Sequence, residues 1–198
     1  ADHIGGVSRL LQTYRATVFG PDDPRIGVDH RICRQDDLVD LPELGLTFEV
    51  FEVPAHTRTH IAYYGHNTLF PGDTLFSIGC GRLFEGTPAD MQESLDKLSR
   101  LPATTRVYCA HEYTQSNCAF ALAVEPDNAA LKRRAAEVEG LRAAGKNTLP
   151  AKLGEEQAAN PFLRTRERSV VEAARKIDPQ AAPGTATMAV IRAWKDRF

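Results

Sequence analysis

Three short β-branched or aromatic runs in this chain each end in a side chain that can ligate a metal. Leu46-Thr47-Phe48-Glu49-Val50-Phe51-Glu52-Val53 leads into Pro54-Ala55-His56, Thr68-Leu69-Phe70 into Pro71-Gly72-Asp73, and Arg106-Val107-Tyr108-Cys109 into Ala110-His111. In α/β proteins the carboxyl edge of a sheet is where loops converge from a rigid scaffold, so residues delivered there can meet. The amino end adds Asp2-His3 before Ile4-Gly5-Gly6, where the glycines permit close backbone approach ahead of a helical run through Leu10 and Leu11. Imidazole nitrogen and carboxylate oxygen suit zinc and similar divalent ions, and a catalytic zinc uses about three protein ligands plus a water. One histidine is usually a surface residue and one Gly-Asp pair usually a turn. Four segments offering the same chemistry favour a metal site.

The rest of the composition is that of a globular protein. The chain has 198 residues, 42% hydrophobic and 25% charged, which excludes disorder, collagen and coiled-coil rods and leaves room for a substantial core. Asp+Glu at 26 slightly outnumber Lys+Arg at 24, against the basic excess of nucleic-acid-binding domains. No window approaches the roughly 18 apolar residues of a membrane span, so a cytoplasmic protein without membrane or nucleic-acid partners, and a monomer, is expected. Cys33, Cys80, Cys109 and Cys118 form no C-x-x-C pair and read as small apolar fillers in a reducing compartment. The first residue is Ala1, so the chain is expected to begin after the start of its gene.

Residues 1 to about 112 read as mixed α/β, with strands expected at Ala16–Phe19, Leu46–Val53, Thr68–Phe70 and Arg106–Cys109. Thr87-Pro88-Ala89-Asp90 supplies a hydroxyl N-cap, a proline at the first helical position and an acid at the third. Met91, Leu95 and Leu98 follow at helical spacing, which predicts a helix from Pro88 to about Arg100. After Tyr113 strand-like runs vanish, and helical patterns cover Gln115–Val124, Asn128–Ala143, Glu167–Lys176 and Thr187–Arg197. An α/β metal-binding domain at 1–113 and an all-helical domain at 114–198 are expected.

These motifs resemble the metallo-β-lactamase-fold hydrolases, and more narrowly the glyoxalase II (hydroxyacylglutathione hydrolase) family. Asp2-His3 is similar to the end of that superfamily's T-H-x-H-x-D-H motif, Pro54-Ala55-His56-Thr57 to its P-x-H-T element, Gly72-Asp73-Thr74-Leu75-Phe76 to its bridging-aspartate segment, and Ala110-His111-Glu112-Tyr113-Thr114 to its G-H-E-Y-T element. Gly79-Cys80-Gly81-Arg82-Leu83-Phe84-Glu85-Gly86-Thr87, Asn160-Pro161-Phe162-Leu163-Arg164 and Arg192-Ala193-Trp194-Lys195-Asp196 resemble glyoxalase II specifically. The resemblance implies an αβ/βα sandwich with a helical C-terminal domain. It also implies two divalent metal ions, zinc first and iron or manganese as alternatives. One would be held by Asp2, His3 and His111, with Asp73 bridging to a second at His56. The two histidines of T-H-x-H are absent from the sequence, so an N-terminal segment with the opening strands is expected to be missing, and this chain alone is expected to complete one site and to lack activity. Thr59 stands where many relatives have glycine, Arg82 where some have lysine and Phe84 where some have tyrosine.

The implied reaction is hydrolysis of S-D-lactoylglutathione to D-lactate and glutathione, the detoxification step for methylglyoxal. Bound metal lowers the pKa of water to about 7, and a thiolate of pKa about 8.5 leaves without a dedicated acid. Asp2 and Asp73 are the implied catalytic carboxylates. Arg82, Phe84, Tyr113, Arg192 and Lys195 are the implied substrate contacts. Arg192 and Lys195 lie three apart on the last helix, beside an apolar stripe of Met188, Ile191 and Trp194; without the resemblance they read as a solvated basic face. His30, His66 and His60 read as structural, as do Glu112 and Glu85, and Lys132-Arg133-Arg134 as a wet helical face. A persulfide dioxygenase-like Fe(II) enzyme and a non-catalytic glutathione-binding fragment are the alternatives.

Overall fold

A computed structural model describes residues 2–198. The first part holds helix α1 (Val7–Thr13), a parallel pair of two-residue strands, β1 (Phe19–Gly20) and β2 (Arg31–Ile32), and then β3 (Leu38–Leu41), β4 (Leu46–Glu52), β5 (Ile61–Gly65) and β6 (Thr68–Phe70). A hairpin of β7 (Leu75–Phe76) and β8 (Gly79–Cys80) precedes α2 (Pro88–Leu98) and β9 (Arg106–Val107). Next come α3 (Thr114–Val124), α4 (Ala129–Ala143), β10 (Ala151–Lys152), α5 (Leu153–Ala159), α6 (Arg168–Arg175) and α7 (Thr185–Lys195). The principal sheet is six-stranded in the order β10-β9-β6-β5-β4-β3.

Alternation along the strands separates two apolar layers. Ala62, Leu69 and Val107 point to one face, where Met91, Leu95 and Leu98 of α2 and then Met188 and Ile191 of α7 complete the main core. Val39 and Val50 point to the other face and pack with Cys33 and Tyr63. Full burial of one such side chain on α2 is worth about 1.5–3 kcal/mol. The stripe of Met188, Ile191 and Trp194 docks on this core as its spacing requires.

The helix over 88–98 begins where the sequence says it should. Thr87 Oγ1 accepts from the Asp90 amide at 3.2 Å while the Asp90 carboxylate accepts from the Thr87 amide at 2.7 Å, a reciprocal capping box with proline at the first helical position. Expected strands at Leu46–Val53 and Thr68–Phe70 are present. The two weaker ones are shorter: Ala16–Phe19 pairs only at Phe19–Gly20, and Arg106–Cys109 leaves the ladder after Val107, where Ala110 turns its amide to the Gly72 carbonyl.

Three features of the second part were not anticipated, one of them the helix α5 over Leu153–Ala159. Ala151–Lys152 adds an edge strand antiparallel to β9, so the helical part also contributes backbone to the sheet. Arg134 is not on a wet face. It falls at i+3 from Leu131 and four before Val138 on the buried side of α4, and is 8% exposed. Its guanidinium donates to the Thr148 carbonyl at 2.7 Å and pairs with Glu137 at 2.9 Å. Lys132 and Arg133 are exposed as expected.

Replacing the cap hydroxyl, Thr87→Ala, removes the amide acceptor at the head of α2. It should lower unfolding free energy by about 1 kcal/mol, read as a reduced urea midpoint with an unchanged slope. An unmoved midpoint would show that the capping box adds nothing.

Candidate metal centre and adjoining cleft

Strand direction explains why distant ligand-type residues meet. β5 is antiparallel to both β4 and β6, so β4 and β6 run the same way, and β9 is parallel to β6. Their carboxyl ends share one edge of the sheet, from which His56, Asp73 and His111 emerge. Asp73 sits at the centre, 4% exposed. Its Oδ2 lies 2.9 Å from His3 Nε2 and 3.1 Å from His56 Nε2, and its Oδ1 lies 3.5 Å from His111 Nε2. His111 Nε2 is in turn 3.1 Å from Asp2 Oδ2.

Asp2, His3, Asp73 and His111 each offer one ligand atom, all within 4.8 Å of one another. Asp73 Oδ1 is buried with no hydrogen-bond partner. An unsatisfied buried carboxylate oxygen is costly, and a cation is the partner that offsets the cost. The donor set, two imidazoles and two carboxylates, therefore fits a divalent ion. His56 lies outside that four-residue group and adds a donor on the Oδ2 side of Asp73.

Neighbouring groups orient the ligands, as metal sites require. His56 Nδ1 donates to the Arg82 carbonyl at 2.9 Å, which leaves Nε2 facing Asp73. His60 donates from Nδ1 to the Ile61 carbonyl at 3.0 Å and accepts the Asp73 amide on Nε2 at 3.0 Å. Burial, with His56 nearby, pushes His60 down to about 4, so the ring stays neutral and can keep accepting. Gly72, at a φ of +53°, lets the chain turn against that ring. A Cβ on Gly81 would come within 1.9 Å of the Asp73 carbonyl, which is why the bend before Arg82 needs glycine. Thr59 is not an idle departure: its hydroxyl donates to Asp23 Oδ2 at 2.5 Å, tying the turn after His56 to the loop before β2.

Charge balance at the centre favours ionised Asp73. Burial pushes its pKa up, but the His56 hydrogen bond and the charges of His3, His56 and His111 outweigh it and hold the group below its ordinary value. The same hydrogen bond raises His56 above its ordinary value. Asp2 is lowered chiefly by a backbone hydrogen bond.

A cleft of about 800 Å³ opens from this cluster toward the helical part. Tyr113 stacks on His111 with ring centroids 5.2 Å apart, and Phe84 tilts over His56 at 4.9 Å, both half or more exposed at the cleft wall. Arg82 reaches over from the bend after Cys80, and its guanidinium lies 3.6 Å from Asp196. Lys195 Nζ donates to Asn117 Oδ1 at 2.6 Å and lies 5.0 Å from the Phe120 ring. Burial, followed by repulsion from Arg192, pushes Lys195 down to about 8. Arg192 is 4% exposed. It donates to the Cys80 carbonyl at 3.0 Å and to Asp196 at 3.0 Å, so it braces the cleft wall from within. Neither cation forms the solvated face that helical spacing alone allows.

Residues 1–111 match the family model of the metallo-beta-lactamase superfamily, and residues 112–198 match that of the hydroxyacylglutathione hydrolase C-terminus. A hydroxyacylglutathione hydrolase of Pseudomonas aeruginosa is 50% identical over 201 residues, an alignment covering 100% of this chain and 77% of that protein. This chain belongs to the hydroxyacylglutathione hydrolase family. A family member from Cupriavidus metallidurans is 48% identical over 209 residues, covering 100% of this chain and 79% of its own length. Among solved structures, ETHE1 from Myxococcus xanthus superposes with a TM-score of 0.61 at 23% identity, covering 98% of this chain and 72% of that one, a likeness of fold. The metallo-beta-lactamase fold and the ligand cluster together mark a divalent metal centre.

Within this family frame, the structure brings together all five ligand-type residues singled out from sequence and sets Arg82, Phe84, Tyr113, Arg192 and Lys195 along an adjoining cleft. The histidines read as structural are so engaged: His30 bonds the Val28 and Pro21 carbonyls, and His66 accepts the Thr47 amide. Glu112 accepts from the amide and hydroxyl of Thr148, and Glu85 from Arg25 and the Arg58 amide. Asn117 and Phe76 were missed. Asn117 follows Tyr113 by one helical turn, which was a usable signal; Phe76 packs edge-on against His111 and Tyr113 through a hairpin with no sequence signature.

Metal uptake must displace the proton that Asp73 attracts to His56, so affinity should climb with pH through the raised His56 pKa and then level off. Competition against a chromogenic chelator from about pH 5.5 to 8 reads this. A pH-independent affinity would contradict the arrangement.

Proposed function

We propose that this chain, against the expectation set by the absent T-H-x-H histidines, hydrolyses S-D-lactoylglutathione to D-lactate and glutathione, with residues 1–113 holding the metals and 114–198 the glutathione moiety. The supporting observation is a cleft that runs from Asp2, Asp73 and His111 of the ligand cluster to the cations Arg82 and Lys195. In this reading two ions, zinc by preference, are held by Asp2, His3, Asp73 and His111 and by Asp73 with His56. Such ions lower the pKa of water to about 7 and polarise a carbonyl.

The chain's own groups do the rest. Asp73 stays ionised between the histidines, its Oδ2 facing His3 and His56 and its Oδ1 facing His111, so that it would hold the ions. Asp2, held below its ordinary pKa, keeps an acceptor oxygen beside His111 and orients the attacking water. The water oxygen bonds to the thioester carbon as its proton passes to bulk water, and the C–S bond breaks, with its electron pair leaving on sulfur. Because thiols have pKa values of about 8.5, the thiolate departs without a side-chain acid. Lys195, close to 8, and Arg82 receive the carboxylates of glutathione, while the rings of Tyr113 and Phe84 narrow the cleft beside the reacting bond.

Assay of metal-loaded protein should release D-lactate and free thiol in equal amounts. Asp73→Asn should cut turnover by more than about 100-fold, the upper end for residues that merely support a ligand. Lys195→Met should raise KM about tenfold with little change in kcat, since it removes a binding contact rather than one made in the transition state. Oxygen uptake with glutathione persulfide, without thioester hydrolysis, would overturn the reading.

A further inference from the structure

The β7–β8 hairpin turns at Ser77–Ile78, and nothing in the chemistry above uses that turn. Ile78 is β-branched yet holds a φ of +57°, a left-handed conformation that such residues rarely adopt. Its side chain is fully buried in a small second core with Cys118, Leu131, Val138 and Ala159, all from the helical part. The turn is thus a plug pushed from the α/β part into the helices.

One carboxylate grips the plug. Glu156 of α5 is 0% exposed. Its Oε1 accepts from Ser77 Oγ at 2.9 Å, and its Oε2 accepts from the Ile78 amide at 2.7 Å and from Asn160 Nδ2 at 3.0 Å. Asn160 also donates to the Phe76 and Gly79 carbonyls at 3.2 and 3.0 Å, so both strands of the hairpin are bound from the same helix end. Arg134 Nη2 lies 3.4 Å from Ser77 Oγ. Burial pushes Glu156 up to about 7, and these donors oppose the rise.

The grip continues to the cleft. The Ser77 carbonyl accepts Asn117 Nδ2 at 2.9 Å, which orients the Asn117 amide so that its Oδ1 accepts Lys195 Nζ at 2.6 Å. Phe76, next to Ser77, rests on His111 and Tyr113. A hydrogen-bonded chain therefore runs from Glu156 through Ser77 and Asn117 to the ammonium at the cleft wall.

We infer that Glu156 is a positioning residue that, by accepting from Ser77, Ile78 and Asn160, holds the Ser77–Ile78 turn so that Asn117 presents Lys195 to the substrate. The inference rests on the cleft assignment above and deepens it. Gln at this position can keep the arrangement: its carbonyl accepts from Ile78 and Asn160, and its amide donates to the Ser77 hydroxyl. Leu has the same bulk and no acceptor.

The test compares Glu156→Gln and Glu156→Leu with the wild-type protein, loaded with metal and matched for metal content. Thioester kinetics and hydrogen exchange over residues 74–81 and 114–120 are the readouts. Glu156→Leu should raise KM about tenfold while kcat changes less than about threefold, and Glu156→Gln should keep KM within about threefold of wild type. Exchange should accelerate in those two segments for Leu and not for Gln. A wild-type KM in the Leu variant, or equal loss in both variants, overturns the inference. Should Glu156→Leu not fold, Ser77→Ala removes one of the three donors; it should raise KM by a smaller factor at unchanged kcat, and an unchanged KM overturns the inference. If the wild-type protein does not hydrolyse the thioester, the functional reading fails by itself, and hydrogen exchange decides: acceleration confined to the hairpin and α3 supports the positioning role, and none overturns it.

Discussion

A carboxylate buried among imidazoles is the constraint on which the rest of the structure depends. Asp73 has almost no solvent, three histidines around it and one oxygen without a hydrogen bond. Such a group is expensive unless it faces positive charge. The meander of β4, β5 and β6, with β9 laid parallel to β6, brings His56 and His111 to it from one edge. Gly72 and Gly81 leave the room that the bends around it need, and His60 holds its amide from behind.

What the sequence displayed was whatever depends on neighbours in the chain. The ligand-bearing strand ends, the capping box at Thr87 and the spacing of Met188, Ile191 and Trp194 are all local patterns, and the structure contains each of them. Family motifs added the cleft residues Arg192 and Lys195, which helical spacing alone would have assigned to a wet face. What stayed hidden depends on residues far apart. Arg134 sits in a basic triplet, yet its helical phase with Leu131 and Val138 buries it against Ser77 and Thr148. Ala151–Lys152 is too short to carry a strand period and exists only because β9 offers an edge. Glu156 looks like a surface acid within Gly154-Glu155-Glu156-Gln157 and is fully buried because a hairpin from the other part presents two donors to it and Asn160, at the end of its own helix, a third.

The two parts of the chain are therefore interlocked. β10 extends the sheet from the helical side, Arg192 of α7 anchors to the Cys80 carbonyl, and Ile78 plugs into the helices. That interlock fixes the ligand cluster and Arg82 of one part against Lys195 and Arg192 of the other across the cleft. Distances across the cleft are then set by packed cores rather than by loops, as binding in a defined orientation requires.

The central claim, that Asp73 organises a divalent metal centre, is tested most directly by anomalous scattering from crystals grown with zinc. A zinc peak at coordination distance, about 2.0–2.2 Å, from Asp73 Oδ1 and the facing atoms of Asp2, His3 and His111 is the predicted result. A structure in which zinc binds elsewhere and Asp73 Oδ1 remains buried without a partner would contradict it.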